Sequence, residues 1–181
     1  MCLPLAGRSC PRCGLCPLIS RSAQRCASLY PGAVQRILVK RAVAGDAERL
    51  TALIRDSNAY RGQYGAALRD YEVTIDYIER QRVFAAFDPG GVLLGVYGLV
   101  LDPPVLDLLF VANDAQGRGV GRHLVQHMIG QARLCGLTVV QVVSHPPAEP
   151  FYQRMGARRV GTVPARPPLV TWDRPELQFT V

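Results

Sequence analysis

The chain has 181 residues, 49% of them hydrophobic, and a formal net charge of +7. That length suits one ordinary domain plus a tail, and no apolar run is long enough to span a bilayer. The excess charge lies entirely in residues 1–45, where Arg8, Arg12, Arg21, Arg25, Arg36, Lys40 and Arg41 meet no acid. The rest of the chain is balanced, which argues against a nucleic-acid-binding face on the domain.

Residues 1–35 show no sustained period and are dominated by Pro, Cys, Ser and Arg. They read as a disordered tail before a domain over 36–181. The run "CPRCGLC", Cys10 to Cys16, has a spacing that can ligate zinc or an iron–sulfur cluster. Cys26 stands ten residues further on and no His-x-His partner follows, so no metal is expected. An Arg-rich, acid-free segment also suits a transit peptide, although this one is weakly amphipathic. Its apolar stretches are broken by Arg8, Pro11 and Arg12, which makes a poor secretory signal. A cytoplasmic protein is expected.

Regular pattern begins at "RILVKRAV", 36–43, a strand. In "GDAERLTALIRDSNAY", Leu50, Leu53 and Ile54 share one helical face, with Asp46 as the candidate N-cap. Residues 58–82 hold Tyr60, Tyr64, Tyr71 and Tyr77 among many charges and suggest one or two further helices with loops. Val83–Phe87 and Val92–Leu101 form a hairpin around the "DPGG" turn, and Val105–Val111 gives another strand. A helix follows from about Gly119 to Cys135, with Val120, Leu124, Val125, Met128, Ile129 and Ala132 on its apolar face and Gly136 as its cap. "TVVQVV", 138–143, is a buried strand, "PAEPFYQRM" a short helix, and "RRVGTV" and "PELQFTV" are closing strands. The fold class is α/β.

"QGRGVG", Gln116 to Gly121, places glycine at three alternate positions between a strand and a helix. The first amides of a helix lack internal partners and carry the positive end of its dipole, and glycines let such amides converge on one phosphate. A tight turn that binds nothing is the plainer alternative. No Gly-Lys pair is present, so this is not a P-loop. A dinucleotide-binding G-x-G-x-x-G turn would need glycine where Arg122 stands, and it usually opens the first βαβ unit.

The same stretch resembles the [RQ]-x-x-G-x-[GA] signature of the GNAT acetyltransferase superfamily. "LDLLFV" looks like that family's central strand, and "FYQRMGA" resembles its second motif, commonly Tyr-x-x-x-Gly-Phe. Tyr152 and Gly156 match it, while Ala157 replaces the usual aromatic. The likeness covers about residues 37–181 and implies the GNAT acyl-CoA N-acyltransferase fold, a mixed central sheet with flanking helices. It implies acetyl-CoA as co-substrate, with the pyrophosphate held by Gln116, Gly117, Arg118, Gly119, Val120, Gly121 and Arg122. Backbone groups of Leu109, Phe110 and Val111 would pair with the pantetheine arm. An amine, on a small molecule or a protein, would attack the thioester directly in a ternary complex.

Tyr152 sits where the family places its general acid; packing beside Phe151 is its alternative role. Asp107, which alternation turns away from Leu106 and Leu108, is a candidate base or a solvated strand residue. Glu72 and Glu79 are further candidates. His123 and His127 are one helical turn apart but lack a third ligand, and read as polar-face residues. His145 faces the expected cleft end and either touches substrate or caps the next helix. Cys135 reads as a core filler. A non-catalytic acyl-CoA-sensing or protein-interaction module is the competing reading. A membrane partner is not expected, and a homodimer is left open. The acceptor site is expected in the 58–82 segment.

Overall fold

The apolar runs assemble into a seven-stranded sheet in the computed structural model, which describes residues 36–181. The expectations for residues 1–35, including their cysteines, lie outside the described residues. The strands are β1 Leu38–Arg41, β2 Arg82–Phe87, β3 Leu93–Leu101, β4 Pro104–Val111, β5 Val139–Val143, β6 Arg158–Val163 and β7 Arg174–Thr180. The helices are α1 Ala47–Arg55, α2 Ile75–Arg80, α3 Val120–Leu134 and α4 Glu149–Arg154. The order across the sheet is β1-β2-β3-β4-β5-β7-β6, and β4–β5 is its parallel pair.

Strand alternation distributes the core over both faces. On β2, Phe84 and Ala86 join one cluster while Val83 and Ala85 join the other. The first cluster takes Val120, Leu124, Val125, Met128 and Ala132 from α3 and Tyr152 from α4. The second takes Leu50 and Ile54 from α1 and Ile78 from α2. Fully burying one such aliphatic side chain contributes about 1.5–3 kcal/mol, so each helix is held by its apolar stripe.

Several local expectations need correcting. Segment 58–82 contains one α-helix, α2, preceded by 3-10 turns at Asn58–Tyr60 and Gly62–Leu68. Gly62, at φ +63°, interrupts the helical path, and Thr74 starts α2 by accepting from the Tyr77 amide at 3.1 Å. Asp46 caps no amide of α1; its Oδ2 accepts from the Val43 amide at 3.0 Å. Gly136, at φ +74°, closes α3 as expected, with its amide on Arg133 O and the Leu137 amide on Ala132 O. Cys135 is half-buried at that helix end and belongs to neither core cluster.

Candidate active site

Strand β4 carries a bulge. Gly98 of β3 pairs with Leu108 and Leu99 pairs with Leu106, so Asp107 is the extra residue. Leu106 therefore enters the α3 side of the core and Leu108 the α1 side. Asp107 is not opposed to both of them, as simple alternation predicts, because the extra residue resets the period. Its carboxylate is exposed, and Oδ2 accepts a hydrogen bond from the Tyr77 hydroxyl at 2.8 Å. A Cβ on Gly98 would collide with that hydroxyl, so the glycine makes room for it.

Beyond the bulge the sheet opens. The β4–β5 pairing consists of Val105 with Gln141 alone. The Ala112 amide donates to Leu94 O at 2.9 Å. Antiparallel alternation then turns the backbone groups of Phe110 toward β3 and those of Leu109 and Val111 toward β5. Those two residues thus present an unpaired strand edge, while the backbone of Phe110 is engaged in the sheet. Gln116 Nε2 donates to Val111 O at 3.3 Å, tying the glycine loop to the strand end.

Three glycines serve three purposes in that loop. Gly117 and Gly119 adopt φ +75° and +82°, a region that costs other residues about 1–2 kcal/mol. Nothing lies within 4 Å of a Cβ built on either, so space is open above both. At Gly121 a Cβ would press on the Phe151 ring at 3.1 Å, so this glycine lets α4 pack on α3. The first backbone bond of α3 runs from the His123 amide to Gly119 O. Among the described residues the amides of Val120, Gly121 and Arg122 have no backbone acceptor. They face a cavity of about 580 Å³ that Leu109, Val111, Gln116 and Tyr152 also line. Arg122 and Arg154 border it, and neither forms an ion pair among the described residues. Arg154 lies in the last turn of α4 and has no motif to flag it in the sequence. Arg118 is exposed and does not border this cavity.

A second cavity adjoins the first between β4 and the end of β5. Leu109, Val111, Gln116 and Tyr152 line both, and Asp107 and His145 line the second. Tyr152 is 7% exposed. Burial, and secondarily Tyr60, holds its phenol well above the ordinary pKa, so it stays protonated. His145 is buried, stacked on Tyr60 at 4.6 Å and met edge-on by Tyr64 at 5.1 Å. It makes no side-chain cap to the turn Pro146–Ala148 that follows it. Burial lowers its pKa, and a hydrogen bond with the Ala59 backbone opposes that.

The other sequence candidates lie elsewhere. Glu72 and Glu79 are exposed and line neither cavity. His127 turns into the protein, with Nδ1 2.8 Å from the Tyr97 hydroxyl, while His123 is exposed. No cluster of metal-ligating side chains occurs among the described residues. None of their helices is long and apolar enough to cross a membrane.

Comparison with known proteins agrees with this architecture. Residues 64–165 match a family model described as the acetyltransferase (GNAT) domain. A GCN5-related N-acetyltransferase from Rhodopseudomonas palustris is similar at TM-score 0.68 and 20% identity, over 80% of this chain and 95% of that one. Another from Kribbella flavida is similar at TM-score 0.62 and 24% identity, over 80% and 98%. The yncA protein of Salmonella typhimurium, solved with its cofactor acetyl-CoA, is similar at TM-score 0.62 and 18% identity, over 80% and 94%. Among curated proteins none matches. With more than half of its length inside the family model, and a bulged, splayed sheet beside a glycine loop, the chain belongs to the GNAT family of N-acetyltransferases.

Proposed function

We propose that the protein transfers an acetyl group from acetyl-CoA to an amine by direct attack in a ternary complex. One observation carries this reading: the unpaired edge of Leu109 and Val111 and the free amides of the glycine loop border one continuous pair of cavities, with Tyr152 common to both. That arrangement fits the donor substrate. Gln116 to Arg122, with Arg154, would hold the pyrophosphate by amides and positive charge. The backbone of Leu109 and Val111 would hold the amide-bearing arm as another strand would. The thioester would then lie near Tyr152 and Asp107.

Positioning supplies most of the acceleration for such a reaction. Asp107 attracts the ammonium of the acceptor and takes up its proton. The amine nitrogen bonds to the acetyl carbon as the C–S bond breaks, and the Tyr152 hydroxyl gives its proton to the departing sulfur. Burial weakens the phenol as an acid, but it also disfavours the thiolate, so the transfer stays matched. A cytoplasmic location belongs to the same reading and is checked by fractionation.

The test pairs binding with turnover. Calorimetric titration should show acetyl-CoA binding to wild type, and thiol release should depend on an added amine. Tyr152→Phe should lower kcat about a hundredfold while leaving acetyl-CoA affinity nearly intact, because the hydroxyl is used only as sulfur leaves. A wild-type chain that does not bind acetyl-CoA ends the acetyltransfer reading. An unchanged kcat reduces Tyr152 to packing.

A further inference from the structure

Six residues that wall the Asp107 cavity also wall a third one: Tyr60, Leu106, Asp107, Phe110, Val143 and His145. This outer cavity, of about 360 Å³, runs from the β4 bulge toward the connection between β6 and β7. It opens onto the point where the thioester would lie, on the side away from the glycine loop, whose residues do not border it. Its wall is aromatic and mutually braced. Tyr60 stacks on His145, Tyr64 meets His145 edge-on, and Tyr64 meets Trp172 edge-on at 4.6 Å.

The polar groups of this cavity are sorted by sign. At the inner end stand acceptors. Asp107 is the only acid that borders either cavity. His145 Nε2 has no partner, so the ring's hydrogen bond with the Ala59 backbone uses Nδ1. A ring that donates through Nδ1 and is held neutral by burial leaves Nε2 as a lone pair. At the outer end stand donors. Trp172 and Arg174 border the outer cavity and not the inner one. Arg174 forms no ion pair and no side-chain hydrogen bond among the described residues, and its Nε and Trp172 Nε1 are buried without partners. A buried donor left unmade costs about 1–3 kcal/mol. An unpaired guanidinium beside aromatic rings suits a carboxylate, with which it forms paired hydrogen bonds.

We propose that this outer cavity is the acceptor site and that it takes a primary amine joined through an apolar or aromatic body to a carboxylate, as in an amino acid. This rests on the acetyltransfer reading and deepens it. The ammonium lies at Asp107 and His145, the body lies along Tyr60 and Tyr64, and the carboxylate lies at Arg174 and Trp172. The amine loses two protons overall: Asp107 or His145 passes one to solvent, and the other balances the proton that Tyr152 gives to sulfur. The N–C bond forms, the C–S bond breaks, and the products are the N-acetylated acid and CoA. A polycationic amine fits poorly, because the cavity offers one carboxylate and an unpaired cation would repel the second ammonium.

The experiment uses the full chain with acetyl-CoA and acceptors matched in pairs. Phenylalanine is compared with phenethylamine, and leucine with isoamylamine, with spermidine and a Phe-Ala dipeptide as further arms. Thiol release gives the rate, and mass spectrometry identifies the product. The amino acid of at least one pair should exceed its decarboxylated partner in kcat/KM by at least tenfold. Arg174→Gln should collapse that ratio through KM of the acid. Trp172→Phe, which removes the N–H and keeps the ring, should reduce it in the same direction. Equal or faster turnover of the decarboxylated amines overturns the proposal, as does a preference for spermidine or the dipeptide. So does a ratio that survives both substitutions, or an absence of turnover with every acceptor. Calorimetric acetyl-CoA binding separates the two levels. Intact binding with the wrong preference ends only this proposal, whereas lost binding in wild type ends the acetyltransfer reading beneath it.

Discussion

At Gly119 the backbone holds φ +82° and no protein atom lies within 4 Å of a Cβ built there. Alanine would therefore meet backbone strain of about 1–2 kcal/mol and no steric clash within the protein. Any further loss of acetyl-CoA affinity would come from the ligand's side of the loop. Glutamate adds negative charge at the place proposed for the pyrophosphate. Gly119→Glu is expected to abolish binding while Gly119→Ala weakens it, both read by calorimetric titration, with circular dichroism to confirm folding. Wild-type affinity in folded Gly119→Glu would show that this loop does not hold the phosphates. Gly121 carries a different reason for being glycine, its contact with the Phe151 ring, which spacing in the sequence does not distinguish.

At the scale of elements, the bulge in β4 organises the site. It turns Asp107 out of the regular ladder, where Tyr77 from α2 reaches its carboxylate over the flat backbone of Gly98. Burial, and then Asp107, keeps the Tyr77 phenol protonated and donating. Gly98→Ala should push the hydroxyl away, leaving Asp107 without its fixed donor. Overpacking of this kind costs about 1–3 kcal/mol. The expected result is a lower Tm together with a raised KM for the amine, while acetyl-CoA affinity changes little. Steady-state kinetics and a melting curve check it. An unchanged KM for the amine would mean that the Tyr77 bond has no part in orienting Asp107. The α3–α4 contact and the tie from Gln116 to Val111 O hold the loop on the other side of the same strand.

For the whole molecule, two histidines link stability to pH. Burial lowers the pKa of His127, with His123 adding to the effect, and burial also lowers that of His145. The native state therefore favours the neutral rings. Below the unfolded value of about 6.5 the unfolded chain binds more protons than the native one. The histidine contribution is full above that value and is lost as pH falls through the native values. The Tm should fall between about pH 7 and about pH 5.5, and His127→Gln should flatten part of that slope. Calorimetric melting at a series of pH values measures it. An identical slope in the variant would assign the whole loss to other groups.

Periodicity located every strand of the described domain and three of its helices, because a stripe of apolar side chains is a local property that the chain carries wherever it folds. The glycine loop was legible for the same reason: alternate glycines before an apolar helix pattern state a backbone requirement within six residues. The tertiary structure alone decided the bulge at Asp107, since an extra residue in a ladder is defined by its partner strand. It likewise decided that segment 58–68 turns through 3-10 geometry, where Tyr60 and Tyr64 pack against His145. Trp172 and Arg174 carry no motif, and they join Asp107 around one cavity only because β7 lies beside β5 in the sheet. Local pattern can specify elements, but a cavity is made by residues distant in the chain, and only packing brings those together.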